Sequence, residues 1–427
     1  MIGALALGAY RVAARLATPF LPVLLRRRAA QGKEDRTRLG ERRGEPTVAR
    51  PAGPLVWIHG ASVGETISLL PVAERLAADR ITVLMTSGTV TSARLMARRL
   101  PPGAIHQFVP LDAPAYVRRF LDHWHPDLAL IAESEIWPNL ILEADRRGVP
   151  VVLVNARISE RSFARWRKAG DVSRAVFSRF ALCLAQSDAD GGRLFALGAQ
   201  RVAVTGNLKY DVPPPPADPL RVSMIEGLIG SRPVWMAAST HPGEEDVVLA
   251  AHREASLRHP HLLTIIAPRH PHRGAEIEEL VRRAGLSGSR RSQGLQPDRA
   301  TDVYIADTIG ELGIFYRTVP LALTGGSLVP HGGQNPIEPA KLGTAVLHGP
   351  HVHNFVDVFA ALDSAGGAVG VTAETLPEVL GELLGDPAGL RWMARAAGGA
   401  VAELGGAVDR TMHEIAPFIV SMHLEGR

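Results

Sequence analysis

The chain has 427 residues, 46% of them hydrophobic and 21% charged, which fits about two ordinary folded domains and excludes a disordered protein. Cys183 is the only cysteine, so an intramolecular disulfide and a cysteine-rich metal site are excluded. Residues 1–50 hold eleven Lys/Arg against four Asp/Glu, a net +7; the whole chain is +4, which leaves −3 for the rest and argues for a local anionic partner rather than a nucleic-acid groove.

Met1 to Leu25 is largely apolar, but Arg11 and Arg15 interrupt it and Pro19 and Pro22 bend it. It falls short of the roughly twenty apolar residues of a membrane span. The pattern fits an interfacial helix with snorkelling arginines or a marginal anchor; a soluble helix packed on the body is the alternative. Arg26, Arg27 and Arg28 would mark a cytoplasmic side and attract anionic headgroups. Residues 1–28 are thus assigned to a membrane anchor or interfacial helix. Residues 29–53 are polar and Pro/Gly-punctuated and are expected to form a flexible or partly ordered connector.

From Leu55 short apolar runs alternate with amphipathic stretches, which predicts a mostly parallel sheet with helices on both faces. Expected strands are Leu55–His59, Ile81–Thr86, Ile105–Val109, Leu128–Ala132, Val151–Val154, Ala181–Ala185 and Val202–Val204. Ligands in such sheets sit at the strands' C-terminal ends. Glu65, in Gly60-Ala61-Ser62-Val63-Gly64-Glu65, fits a capping box with Ser62 and equally a general base. In Glu133-Ser134-Glu135 two carboxylates share a loop; one could have a raised pKa, or both are solvated. Asp188-x-Asp190 weakly suggests a metal pair and more simply an acid-rich helix start.

Lys209, one of only four lysines, stands just before a run of prolines, Pro213–Pro216, where a domain boundary is placed. The domains are expected at 54–212 and 221–427, joined by a linker at 213–220, with the last helix able to pack back on the N-terminal domain. The second half repeats the rhythm with strands at Val234–Ala238, Leu262–Ala267, Val303–Ala306, Val319–Leu323, Ala345–Leu347 and Ala368–Val371. Arg269, after the second of these, suits a phosphate or a surface ion pair. Thr308 and Glu311 could simply cap each other. The stretch Gly325–Glu338 reads as a glycine-rich loop entering a helix, with Pro336 first and Asn335 as cap. Its amides suit a phosphate, and Glu338 suits ribose hydroxyls. The histidines His241, His270, His272, His331, His348, His351 and His353 show no helical zinc-ligand spacing, so no metal site is expected.

The ordered motifs WIHGASVGE (57–65), SEIWPNL (134–140), NARIS (155–159), GNLKYD (206–211), STHPGEE (239–245), APRHP (267–271) and GGSLVPHGGQNPIEPA (325–340) closely resemble those of the 3-deoxy-D-manno-octulosonic acid (Kdo) transferases. Each motif is weak alone; their order over nearly the whole chain is specific. The resemblance implies an α/β fold of the GT-B class, two doubly wound Rossmann-like domains facing a central cleft, with an N-terminal membrane-associated helix. It implies transfer of Kdo from CMP-Kdo to a lipid A precursor, lipid IVA, on the cytoplasmic side of the inner membrane, without metal or other cofactor. By the same resemblance Glu65 matches the proton acceptor. Lys209 and the Glu133–Glu135 motif, Glu135 in preference, match positions that steady the transition state. Pro268, Arg269, Ile309, Gly310, Glu311, Asn335, Pro336, Ile337 and Glu338 match CMP contacts. The rival readings are a GT-B enzyme using a UDP-sugar and a membrane-bound binding protein on that scaffold. A dinucleotide enzyme is disfavoured, because residues 59–64 lack the G-x-G-x-x-G spacing.

Overall fold

A computed structural model describes residues 2–425. The chain forms two compact units, one of residues 1–212 with 405–427 and one of residues 213–404. The first is built on β1 (Leu55–His59), β2 (Thr82–Ser87), β3 (Ile105–Phe108), β4 (Leu128–Ala132), β5 (Val151–Ala156), β6 (Leu182–Ala185) and β7 (Val202–Val204). These lie parallel in the order β3-β2-β1-β4-β5-β6-β7. The second contains β8 (Val234–Thr240), β9 (Leu263–Pro268), β10 (Gly288–Arg290), β11 (Val303–Ile305), β12 (Leu321–Thr324), β13 (Ala345–His348) and β14 (Ala368–Gly370). Their order is β10-β11-β9-β8-β12-β13-β14, again parallel throughout.

The strands read as continuous apolar runs because helices cover both faces of each sheet, so alternate residues have no wet side to face. Every residue of β1, β4 and β5 is buried. Helix Pro114–Trp124 shows how a crossover forms. Proline opens its first turn, where no amide bond is lost, and His125 ends it in the left-handed region. Val117, Phe120, Leu121 and Trp124 then fall on one face at helical spacing and fill one side of the first sheet. The Phe120 ring packs 4.9 Å from that of Trp57. Each such buried side chain contributes roughly 1.5–3 kcal/mol. Strand β10 has no counterpart among the expected strands, since Gly288-Ser289-Arg290 lacks an apolar run and is held at the sheet edge by pairing with β11 alone.

Among the described residues no helix is long and apolar enough to cross a membrane. Helix Ile2–Ala17 packs on the first unit through one face. Leu7 joins the core, and a Cβ on Gly3 would lie 2.3 Å from the Asp171 carbonyl oxygen. Arg11 does not snorkel. It is buried, with Nη2 donating to Glu143 Oε1 at 2.6 Å, because Glu143 is itself buried and needs cationic partners. The opposite side exposes Leu5, Val12 and Leu16, followed by Phe20, Val23 and Leu24. The stretch 29–53 is ordered and strapped to the edge of the first sheet: Glu41 accepts from Arg38 and from the Phe108 N–H, and the Arg42 carbonyl accepts from Leu111. Its charged residues pair with each other and with main chain, which a purely compositional reading as linker overlooks.

Helix Ala407–Glu425 belongs to the first unit and adds Ala407, Val408, Ile415 and Met422 to that core. Asp211 fixes its start by accepting from the Gly406 and Val408 amides at 2.7 and 2.5 Å.

Candidate active site

The strand order of the first sheet reverses between β1 and β4, and the polar motifs lie where these strands end. After β1, Ser62 caps helix Val63–Ala78. The Glu65 carboxylate folds back on this turn, with Ala61 N–H 2.9 Å from Oε2 and Ser62 Oγ 2.6 Å from Oε1. The capping box therefore forms. It uses one lone pair on each oxygen and leaves the others able to accept a proton. Glu65 is thus held in one orientation by its own helix.

After β4, Glu133 has φ +52°. A non-glycine residue in this left-handed region is costly and is held here by the sheet, through its amide's bond to the Val154 carbonyl. Its Oε1 lies 2.7 Å from Lys209 Nζ. Glu135 accepts from Trp137 Nε1 at 2.7 Å, and its Oε2 is 3.9 Å from His59 Nε2. Burial pushes the Glu135 carboxyl upward, and the charges of Glu65 and Glu133 push it the same way against the Trp137 bond. Asn155, also in the left-handed region at the end of β5, accepts from the Leu208 amide at 3.0 Å and so positions the turn that carries Lys209. The structure therefore gathers Glu65, Glu133, Glu135 and Lys209 at the C-terminal end of the first sheet's strands.

His59 joins them, although nothing in the sequence marked it beyond its place at the end of an apolar strand before glycine. Nδ1 lies 2.9 Å from Thr86 Oγ1, while Nε2 is buried without a hydrogen-bond partner. Burial pushes the imidazole down to about 4, so it is neutral at pH 7. His59, Ala61, Asp112, Glu135 and Trp137 line a cavity of about 280 Å³.

The second sheet reverses its order between β8 and β12. Arg269 follows β9, its amide bound to the Thr240 carbonyl. Among the described residues its exposed guanidinium makes no hydrogen bond or ion pair, yet its charge bears on both Glu338 and His241. Burial raises the Glu338 carboxyl, opposed by Asn335 Nδ2 at 3.3 Å and by Arg269. Asn335 Oδ1 caps the Ile337 amide at 3.0 Å; helix Ile337–Lys341 starts one residue later than expected, with Pro336 as its cap residue. Ile309 is 86% exposed beside Gly310 in the left-handed region. The Glu311 carboxylate is taken up by Arg291, Arg221 and Thr308, so only its main chain is open to a ligand.

The glycine-rich loop differs from its reading as a phosphate cradle. The amides of Gly326, Ser327 and Leu328 donate to the buried Glu244 carboxylate at 2.7, 3.1 and 3.0 Å, and His241 adds a fourth at 2.9 Å. The protein's own anion occupies that nest. Glu245 beside it is bound by Arg273 and Thr240. Near them the His241 and His331 rings stack at 4.2 Å, with His270 6.2 Å from His241. Burial, then the neighbouring His331, His270 and Arg269, lower the His241 imidazole. Among the described residues no group of three or more His, Cys, Asp or Glu could hold a metal ion. Asp190 instead accepts from the Ile158 amide and Ser187.

The family described as "3-Deoxy-D-manno-octulosonic-acid transferase (kdotransferase)" matches residues 37–212. The chain is 36% identical over 421 residues to a 3-deoxy-D-manno-octulosonic acid transferase of Bordetella pertussis, covering 95% of this chain and 97% of that one. It is 33% identical over 394 residues to the Haemophilus influenzae transferase, covering 90% and 92%. This chain belongs to the Kdo transferase family.

Among solved structures, a glycosyltransferase from Rickettsia africae superposes with a TM-score of 0.60 at 12% identity, over 86% of this chain and 99% of that chain. UDP-GlcNAc 2-epimerase from Neisseria meningitidis gives 0.56 at 16%, over 87% and 100%. Such remote likenesses speak for the fold alone, which is GT-B. The chain is thus a glycosyltransferase, of a family that transfers Kdo in lipopolysaccharide biosynthesis. Besides His59, Glu244 is not singled out by the sequence; the signal it carries is a carboxylate in a motif shared with the family, STHPGEE.

Proposed function

We propose that this protein moves Kdo from CMP-Kdo to lipid IVA at the cytoplasmic face of the inner membrane, with Glu65 as general base. One observation carries the reading. Glu65, Glu135 and the Glu133–Lys209 pair converge where the first sheet reverses its strand order, beside an open cavity. A sugar hydroxyl is a poor nucleophile. As its oxygen bonds to the anomeric carbon of Kdo, its proton passes to a Glu65 oxygen, and the bond from that carbon to the CMP phosphate breaks. Proton removal of this kind contributes roughly 10²–10⁴ in rate. Ser62 and Ala61 keep the accepting carboxylate in place during the step. Lys209, held by Glu133, supplies a fixed cation near developing negative charge, and Glu135 with Trp137 fixes the wall of the cavity.

In the second unit the unpaired Arg269 guanidinium binds the departing phosphate, and Glu338 accepts from ribose hydroxyls. The main chain of Ile309, Gly310 and Glu311 and the Asn335–Ile337 turn complete the cytidylate contacts. The leaving group is a single phosphate, so the chemistry does not oblige a divalent metal. The exposed Leu5, Val12, Leu16, Phe20, Val23 and Leu24, with Arg15, Arg26 and Arg27 also exposed, suit a helix lying on an anionic membrane surface rather than crossing it. The test is incubation with CMP-Kdo and lipid IVA followed by mass analysis. The expected product is heavier by one or more Kdo units; product from a UDP-sugar and none from CMP-Kdo would overturn the donor assignment.

A further inference from the structure

A cavity of about 810 Å³ in the second unit lies at the opposite end of the second sheet from Arg269 and Glu338. It opens beneath the N-terminal ends of β8, β12 and β13, where Val234, Pro320 and Gly343 line it. Arg232, Lys341, Arg391 and Arg395 also line it, and no Asp or Glu does. The lining is thus positive, and a concave positive surface concentrates anions.

The four cations differ in how they are held. Arg232 is a fixed charge: its guanidinium donates to the carbonyls of His261, Asp298 and Thr301 at 2.8, 2.7 and 2.6 Å. Asp298 and Asp302 bear on Arg232, but neither lines the cavity. Arg391 and Arg395 stand one turn apart on helix Pro387–Leu404. Among the described residues neither makes a hydrogen bond or an ion pair, and like charges at this spacing repel. Asp386, just before that helix, has Oδ1 occupied by the Gly389 amide at 2.9 Å. Leu384 and Leu390 give the same cavity an apolar wall. Two free guanidiniums with planar donor forks, a third fixed charge and an apolar flank match a phosphate ester in charge and shape. The volume is that of a metabolite site and exceeds what a lone phosphate fills.

We propose that this cavity is a second anion site, separate from the donor site, that binds a phosphate-bearing small molecule through Arg391 and Arg395. The phosphate chemistry is common to a compact polyphosphate and to a phosphate ester with an apolar tail. Calorimetric titration of the full chain with inorganic pyrophosphate and with hexyl phosphate separates these sources by which binds more tightly. At least one probe is expected to bind at one site per chain, with affinity unchanged by Arg269→Ala and at least tenfold weaker in the Arg391→Ala/Arg395→Ala double variant. Because that variant removes a repulsive exposed pair, its thermal midpoint should not fall, which separates lost binding from lost folding. Affinities within twofold of the parent in the double variant, or no binding of either probe, overturn the proposal.

Discussion

The two units each turn on a reversal of strand order and fill it with opposite chemistry. In each, a central strand has its sequence neighbour on one side and the returning chain on the other, so each has a reversal point with loops gathered at it. At the first unit's reversal point stand carboxylates: Glu65, Glu133 and Glu135, with one lysine and a neutral histidine. At the second stand Arg269, stacked histidines and a glycine loop whose amides are already satisfied by Glu244. The contrast teaches that strand order fixes where a site lies but not which charge it carries. Proton acceptance suits the first arrangement and anion binding the second.

The comparison breaks most sharply at Glu65. Glu65→Gln keeps the shape and the local hydrogen-bond geometry but removes the base, so kcat should fall by about 10²–10⁴ with donor affinity retained. Near-normal turnover would leave Glu65 a cap and nothing more. Two substitutions in the second unit should then separate architecture from binding. Glu244→Ala strands three buried amides and a part-buried one, the buried ones at about 1–3 kcal/mol each, so the unfolding midpoint in denaturant should drop markedly. Arg269→Ala should leave that midpoint alone and weaken CMP binding by about tenfold or more, as expected for a charge-assisted bond. Equal effects of the two on the midpoint would mean that Arg269 is structural as well.

The smallest effect sharpens the electrostatic side. Arg291 above all holds the Glu311 carboxyl at about 2, below its ordinary 4.5. A carboxyl lowered on folding stabilises above its unfolded value, and that contribution is lost as pH falls through the folded one. The stability gap between the parent and Glu311→Gln should therefore be full near pH 7 and shrink between about pH 4.5 and 2. A gap independent of pH in denaturation curves would count against the ion pair as its source.

Much of this was legible before coordinates. Apolar runs bounded by glycine and polar clusters mark thirteen of the fourteen strands among the described residues; the central ones, buried on both faces, need a continuous hydrophobic stretch. The edge strand β10 escapes, since main-chain pairing needs no particular side chains. Glu65, Glu135, Lys209 and Arg269 could be singled out by type and by position after strands. Their convergence could not, because it depends on which strands become neighbours. β1 and β4 are adjacent although residues 60–127 separate them.

By itself the sequence determined two parallel sheets, the boundary near the proline run and the set of polar loops from which a site could be made, since periodicity and turn chemistry are local. Tertiary structure alone decided how those groups are used: Arg11 is drawn into the core by Glu143, Asp211 caps a helix nearly two hundred residues away, and Glu244 takes the amides that a glycine loop offers to phosphate. A charged group settles on whichever opposite partner the fold brings closest, and that distance is not written along the chain.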